Sequence, residues 1–242
     1  MNLEIFIILG VTLLSTLLVY IAQSNLRNLK RLKIIPDQKE VDLVSILIPA
    51  RNEYHNIRRC LDSLIKIDYS QLEILVLNDR STDQTATLVE DYQTKDNRIK
   101  LLQGEELPSG WIGKHWACHQ LSEAANGTIL LFMDADTVLD RSIVSKSVSA
   151  MNQHNSDLLS LIPGRKASCL VEKLTFPLID WMTLCWLPVK LASSSKSPYL
   201  SANFGQFMMF KKDAYKNIGG HSDLRENLLD DFELGREIKR HN

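Results

Sequence analysis

Asp134-Ala135-Asp136 closes an uncharged run from Thr128 to Met133. Two carboxylates one residue apart offer hard oxygen ligands. Such groups hold Mg²⁺ or Mn²⁺ when one or two of them act beside substrate phosphates. The tripeptide alone equally describes a strand end followed by an Asp-rich turn. A second acidic group, Asp230-Asp231-Phe232-Glu233-Leu234, opens a helical pattern. Carboxylates there complement the helix dipole, at about 0.3–1 kcal/mol per charge. They can also supply a general base, because crowding raises the pKa of one of them. Asp79 follows an apolar run and precedes Ser81-Thr82-Asp83; its carboxylate can accept from a base imide or a ribose hydroxyl, or cap the turn. Lys114, after Gly113 at a helix start, is either placed to meet phosphate or simply solvated. His115 and His119 are four apart, but no glutamate follows the first and no third ligand stands nearby, which argues against zinc. Neither G-x-G-x-x-G nor G-x-x-x-x-G-K-[ST] occurs, so neither glycine fingerprint supports nucleotide binding.

These side chains are far apart in sequence, so the fold must gather them. The run from Thr128 to Met133 reads as a buried strand, although its pattern also fits a short buried helix. Val44 to Ile48 is an earlier buried strand, closed by Pro49, and Leu72 to Leu77 is another. Between them Ile57, Cys60, Leu61, Leu64 and Ile65 share one helix face at spacings of three and four. Ser81 or Thr82 can cap the next helix. Ile99 to Leu102 is a short strand, and a loop from Gly110 to Lys114 leads into a helix from about His115 to Ala125. Asp140 caps a helix reaching about Met151. Gly205 to Phe210 reads as a strand, and the last helix runs from about Asp231 to Arg240. Strands alternating with helices argue for an α/β domain, a mostly parallel sheet covered on both faces. Right-handed crossovers put the tips after Ile48, Leu77 and Met133 along one edge. Ligands bind at that edge, so Arg51 to Glu53, Asp79, Asp134 and Asp136 are expected to meet there.

The chain has 242 residues, 45% hydrophobic and 24% charged, enough for one sizeable domain. A formal net charge of -1 gives no general attraction to nucleic acid. The 4 cysteines are widely spaced and read as reduced core thiols. Leu3 to Ala22 is almost wholly apolar and long enough to span a bilayer, which takes roughly 20 residues. Arg27, Lys30, Arg31 and Lys33 follow it, placing the remainder in the cytoplasm by the positive-inside rule. A cleaved signal peptide would carry its charges first and a shorter apolar core. The expectation is a single-pass anchor at 3–22 in the cell membrane, a basic and polar linker at 23–41, and a domain at 42–242. Leu174 to Ala192 is apolar but contains Pro177, Asp180 and Pro188. It suits an amphipathic helix at the membrane interface or an ordinary core helix, and a second spanning helix poorly.

Five stretches then fall into one series: Val44 to Glu53 (VSILIPARNE), Glu73 to Thr85 (EILVLNDRSTDQT), Gly113-Lys114, Asp134-Ala135-Asp136, and Asp230-Asp231-x-x-Leu234. Together they resemble the family-2 glycosyltransferases, which have the GT-A fold. The segment GWIGKHWACHQL with the N-terminal anchor looks most like bacterial membrane-associated enzymes that glycosylate carotenoid acids or accompany hopanoid synthesis. The resemblance implies a nucleotide-sugar donor, UDP-linked, and a lipid or other membrane-associated acceptor. It implies that Pro49, Ala50, Arg51 and Glu53 line the nucleotide pocket and that Asp79 reads the uracil. Lys114 would lie near the pyrophosphate, Asp134 near the ribose, and Asp136 on a divalent metal, Mg²⁺ or Mn²⁺. Asp231 would be the catalytic base of an inverting displacement onto a hydroxyl or carboxyl.

The sequence departs from the family where many members continue to a Q-x-x-R-W segment and further membrane helices. This chain stops at Arg240-His241-Asn242, which leads to the expectation that either the acceptor-side closure is absent or the chain is a truncated product. A truncated domain that binds nucleotide sugar without turnover is therefore one alternative. Another is a haloacid-dehalogenase-type phosphatase, whose D-x-D-x-[TV] motif fits Asp134 to Val138, with Asp134 as nucleophile and Asp230 and Asp231 on Mg²⁺. Against it, that motif's strand normally opens the fold, whereas two strand–helix units precede it here.

Overall fold

The computed structural model describes residues 3–29, 32, 42–227 and 229–241. In chain order the elements are α1 (Leu3–Asn28), β1 (Val44–Ala50), α2 (Tyr54–Leu64), β2 (Leu72–Asn78), α3 (Thr85–Gln93), β3 (Ile99–Gln103), α4 (Gly113–Ala124), β4 (Ile129–Met133) and α5 (Ile143–His154). They continue with β5 (Leu158–Ser160), α6 (Leu170–Trp186), α7 (Val189–Ser194), β6 (Phe207–Lys211), α8 (Lys212–Asn217), α9 (Gly220–Asp223) and α10 (Asp230–His241). The chain divides into two compact units, Met1–Arg31 with Gly164–Ala202, and Leu32–Pro163 with Asn203–Asn242.

The larger unit is a 6-stranded sheet in the order β3-β2-β1-β4-β6-β5. Strands β1 to β4 are mutually parallel, β6 runs antiparallel to β4, and β5 antiparallel to β6. The expected mostly parallel sheet is present, with β6 as its antiparallel member. Continuous apolar runs build the middle strands because both faces are covered. Ile46 and Ile48 point into a core formed with Ile57, Cys60, Leu61 and Leu64 of α2, Val89 of α3 and Val144 of α5. Leu47 and Leu75 point the other way, onto Cys118 and Leu121 of α4, Tyr215 of α8 and Leu234 of α10. Ile46, Leu47 and Ile48 are fully buried, and each such side chain contributes about 1.5–3 kcal/mol.

Pro49 does not close β1 but lies within it, opposite Leu77 of β2. Pairing of β1 with β4 has already ended at Leu47, opposite Phe132. Helix α3 begins at Thr85 without a side-chain cap, so Ser81 and Thr82 do not serve there. Helix α5 starts at Ile143 rather than Asp140, whose Oδ1 instead accepts from Ser142 N and Oγ at 3.1 and 2.7 Å.

In the smaller unit α1 is, by length and composition, able to cross a membrane. It continues to Asn28, so residues 23–28, expected in the linker, are helical. Residues 30–31 and 33–41, the rest of that linker with Lys30, Arg31 and Lys33, lie outside the described residues. Helix α6 packs on α1. The Asn25 side chain, buried between them, donates to Leu184 O at 2.7 Å and Leu187 O at 2.6 Å and accepts from Val189 N at 3.1 Å. It thereby serves the C-terminal carbonyls of α6 that have no partner within that helix. The core-helix reading of 174–192 does not hold. Cys185 is the buried residue of α6, whereas Leu170, Leu174, Leu178 and Trp181 are exposed.

Candidate functional site

The strand order reverses between β1 and β4, and in open α/β sheets ligands bind at the carboxyl ends flanking such a point. Two loops meet there. Asn52, in the left-handed region at φ 56, turns the chain out of β1 and presents its Oδ1 to Thr82 N at 2.8 Å. Asn52 N donates to Ser81 Oγ at 3.0 Å, Glu53 N to Thr85 Oγ1 at 2.9 Å, and Tyr54 N to Asp83 Oδ2 at 3.2 Å. The hydroxyl-rich turn thus holds the Arg51–Glu53 loop in place instead of capping α3.

Asp79 is buried at the tip of β2, its N–H donating to Ala50 O at 2.8 Å. Arg51 Nη1 lies 3.6 Å from Oδ2 and Arg80 Nε 3.4 Å from Oδ1. The start of α4 comes up against it, since a Cβ on Gly113 would stand 3.6 Å from Asp79 Oδ2. One residue on, Lys114 Nζ donates to Asp134 Oδ1 at 2.7 Å. Burial would lower this lysine, but Asp134 outweighs it and holds the ammonium above its ordinary range. Asp136 is exposed beyond the buried Ala135. Its charge adds to burial in pushing the Cys60 thiol up to about 12, which leaves that sulfur inert.

Pro49, Ala50, Arg51, Glu53, Asp79, Lys114, Asp134 and Asp136 all line one cleft of about 360 Å³. A much smaller cavity of about 10 Å³ adjoins it, sharing Pro49, Lys114 and Asp134 and adding Gly205, His221 and Asp230. Asp231 borders this second cavity through Gly205, whose N–H donates to Asp231 Oδ2 at 3.3 Å. Phe232 N donates to Asp231 Oδ1 at 2.8 Å.

The two acids of α10 differ in environment. Burial raises Asp231, and the charge of Asp230 adds to that, so its carboxyl titrates above the ordinary aspartate range. Burial acts on Asp230 too, but His115, His221 and Lys114 hold it well below that range. Burial also keeps His221 below its usual value, against the pull of Asp230. The two neighbouring carboxyls are thus shifted in opposite directions, Asp230 down and Asp231 up.

His115 and His119 diverge. His115 is buried facing Asp230, and His119 lies against Trp116 and Trp111 at ring separations of 5.5 and 5.2 Å. Among the described residues no group of three or more His, Cys, Asp or Glu could hold a metal. Sequence reasoning passed over His221, Tyr215, Gly205 and the buried role of His115. The available signal was Gly219-Gly220-His221. Gly220 sits at φ +54, and a Cβ there would lie 2.5 Å from Tyr215 Cζ.

A family model described as "Glycosyl transferase family 2" matches residues 45–219. A 4,4'-diaponeurosporenoate glycosyltransferase of Staphylococcus haemolyticus is 27% identical over 233 residues, covering 96% of this chain and 60% of the relative. The enzyme of the same name from Staphylococcus aureus is 28% identical over 194 residues, covering 79% and 50%. The chain thus spans between half and three-fifths of the length of these relatives. Among solved structures, the mannosyltransferase PcManGT from Pyrobaculum calidifontis, in complex with GDP-Man and Mn²⁺, superposes with a TM-score of 0.65 at 20% identity, over 88% of this chain and 57% of that one. S. aureus TarS 1-349 in complex with UDP gives 0.51 at 26% identity, over 72% and 48%. The phosphatase reading fails: the D-x-D strand is fourth in the chain, not first, and the family match covers the strands before it as well. The fold is GT-A, and the chain belongs to glycosyl transferase family 2.

Proposed function

We propose that this chain moves a sugar from UDP to a hydroxyl of a membrane-associated acceptor in a single inverting displacement. The observation that carries this reading is convergence. Eight residues from four separate strand ends and helix starts line one cleft, beside an acidic pair of unequal basicity. Asp79 and Arg51 present an acceptor and donors at the end suited to a nucleoside, and Lys114 faces the middle, where a diphosphate would lie. The choice of UDP is supported by the complex of TarS with UDP, and an amphiphilic acceptor by the names of the staphylococcal relatives. A bilayer-length α1 supports location at the membrane, and the basic residues after its apolar run, Arg27, Lys30, Arg31 and Lys33, support a cytoplasmic transfer site.

In the displacement, the acceptor oxygen forms a bond to the anomeric carbon as the bond to the diphosphate oxygen breaks on the opposite face. The acceptor proton passes to Asp231. Lys114 stays protonated beside the leaving group and stabilises the charge appearing there. Asp136, with Asp134 in support, would hold the divalent cation. The fit is adequate, because Mg²⁺ needs one or two carboxylates plus substrate phosphates, not a cage of three side chains. Bound there, Mg²⁺ or Mn²⁺ would supply further neutralisation of the leaving diphosphate.

The test is Mn²⁺-dependent release of UDP from UDP-sugars with a bacterial lipid extract as acceptor. Release by the wild type, and weaker donor binding by Asp136→Ala, are expected. UDP binding with no release would make the chain a nucleotide-sugar-binding protein and overturn the reading. The relatives' names denote a carotenoid acid, which favours a carboxylate acceptor as the second reading. A carboxylate is already ionised at neutral pH, so Asp231→Asn would then cost little.

A further inference from the structure

Behind the acidic pair lies a chain of buried polar groups that the displacement itself does not use. Tyr215, within α8, packs on Phe132 and Phe210 at ring separations of 5.2 and 5.5 Å. Its hydroxyl lies 2.6 Å from His221 Nδ1 and accepts the His221 backbone N–H at 3.0 Å. With one lone pair committed to that backbone donor, the hydroxyl has its proton to give to Nδ1. A neutral His221 then carries its own proton on Nε2, which faces Asp230 Oδ2 at 3.7 Å.

His115 comes to the same carboxylate from α4, its Nε2 3.5 Å from Oδ2. His115 Nδ1 is buried and has no hydrogen-bond partner among the described residues. A proton placed there would be an orphaned buried donor, which is costly. The tautomer with its proton on Nε2, facing Asp230, is the one that leaves no donor orphaned. Both distances exceed a normal hydrogen bond, yet both Nε2 atoms lie nearest the same oxygen, Asp230 Oδ2. The other oxygen, Oδ1, accepts Asp231 N at 3.0 Å.

We propose that Tyr215, His221 and His115 are positioning residues, which fix Asp230 as a permanent anion and so leave Asp231 alone to take the acceptor proton. The inference rests on the glycosyl-transfer reading for the identity of that proton. The groups facing Asp230 are His115 and Lys114 from α4, His221 from α9 and Asp231 on its own helix, with Asp134 behind Lys114. Those facing Asp231 are Asp230, Lys114 and the N–H groups of Phe232 and Gly205. The buried thiol of Cys118, beside Lys114 and Asp230, is raised by burial and stays neutral.

The arrangement separates the roles of two adjacent carboxylates. Without donors on Asp230 the two would share protons and titrate as a coupled pair, neither being a defined base. The glycine pair makes the contact possible. Gly219 and Gly220 both have positive φ, and Gly220 lets the Tyr215 ring approach closer than any Cβ allows.

The test is nuclear magnetic resonance of the full chain in detergent micelles with labelled histidine, joined to a kinetic profile. Long-range nitrogen–carbon correlations should show His221 as a single neutral Nε2–H tautomer across about pH 6 to 8. Tyr215→Phe should release it into a tautomer mixture. With UDP release as readout, His221→Leu should lower kcat by about 10–10²-fold, the scale on which a displaced catalytic group acts. It should also split the acidic limb of the pH profile into two steps, leave KM for the donor unchanged, and be rescued in part by His221→Gln. A cationic or Nδ1–H His221 in the wild type overturns the proposal. So does an active His221→Leu with a single unmoved limb. Absence of UDP release by a wild type that shows the expected tautomer refutes the transfer reading instead.

Discussion

Asp231 is disfavoured as an anion by the same surroundings that would suit it to the proposed role of base. Its carboxyl is raised, so the folded state binds its proton more tightly than the unfolded chain does. Ionisation therefore costs stability as pH rises from the ordinary aspartate value through the raised folded one. Asp230 behaves oppositely. Its stabilising contribution is complete above the ordinary aspartate value and is lost as pH falls towards its lowered one. Two outcomes follow at this scale. The acidic limb of kcat/KM should lie above the ordinary aspartate pKa of about 3.9 and move to lower pH in Asp230→Asn, which removes a neighbouring charge. Asp231→Asn should melt no lower than the wild type at neutral pH and retain UDP binding, as thermal denaturation with and without UDP would show. A clear loss of stability would mean that Asp231 serves the fold and not the chemistry.

At the scale of elements, the site depends on how loops and strand starts are tied together. Asn52 combines a left-handed backbone with a side-chain acceptor for Thr82. In Asn52→Ala the strained φ costs about 1–2 kcal/mol, and the Oδ1 contacts vanish. The Arg51–Glu53 loop should loosen and UDP binding weaken about tenfold, measured by calorimetry. At the opposite end of the sheet Gly127 packs where a Cβ would lie 2.5 Å from Leu43 O and 2.6 Å from Ser45 Oγ. Ser45 Oγ also donates to the buried Glu73 at 2.6 Å, linking β1 to β2. Gly127→Ala should therefore destabilise by about 1–3 kcal/mol through overpacking, lowering the melting temperature without changing the pH profile.

Legibility from sequence followed the range of the interactions. The strands β1, β2 and β4 are continuous apolar runs, and the helix faces of α2 repeat at three and four, so local pattern sufficed. The carboxylates and Lys114 were legible because each sits at a strand end or a helix start, where one topological rule brings the tips together. Pro49 was misplaced because β1 has a neighbour on one side only at that point. Ser81 and Thr82 look like caps locally, but their partner Asn52 is about thirty residues away, a pairing no window can see. For His221 and Tyr215 the local signal was the Gly219-Gly220 pair, but their meaning depends on Asp230 and on His115 about a hundred residues earlier, which that signal does not name.

For the whole molecule, α1 gives the chain a bilayer-length apolar helix, and Asn25 fastens α6 and α7 to it. The exposed leucines and tryptophans of α6 belong to that smaller unit, not to the sheet. The full chain should stay in the membrane pellet through alkaline carbonate extraction, as an integral protein does and a peripheral one does not. Recovery in the supernatant would remove the membrane from the account and with it the reason for an amphiphilic acceptor.

The central claim is that a nucleotide sugar in the cleft is attacked by an acceptor whose proton goes to Asp231. It is tested most directly by comparing UDP release by wild type and Asp231→Asn, with Mn²⁺, UDP-sugar and lipid extract, after showing equal UDP binding. A positioned base contributes about 10²–10⁴-fold, so the account predicts a loss of that order in kcat with donor binding intact. Turnover by Asp231→Asn within a few-fold of the wild type would contradict it.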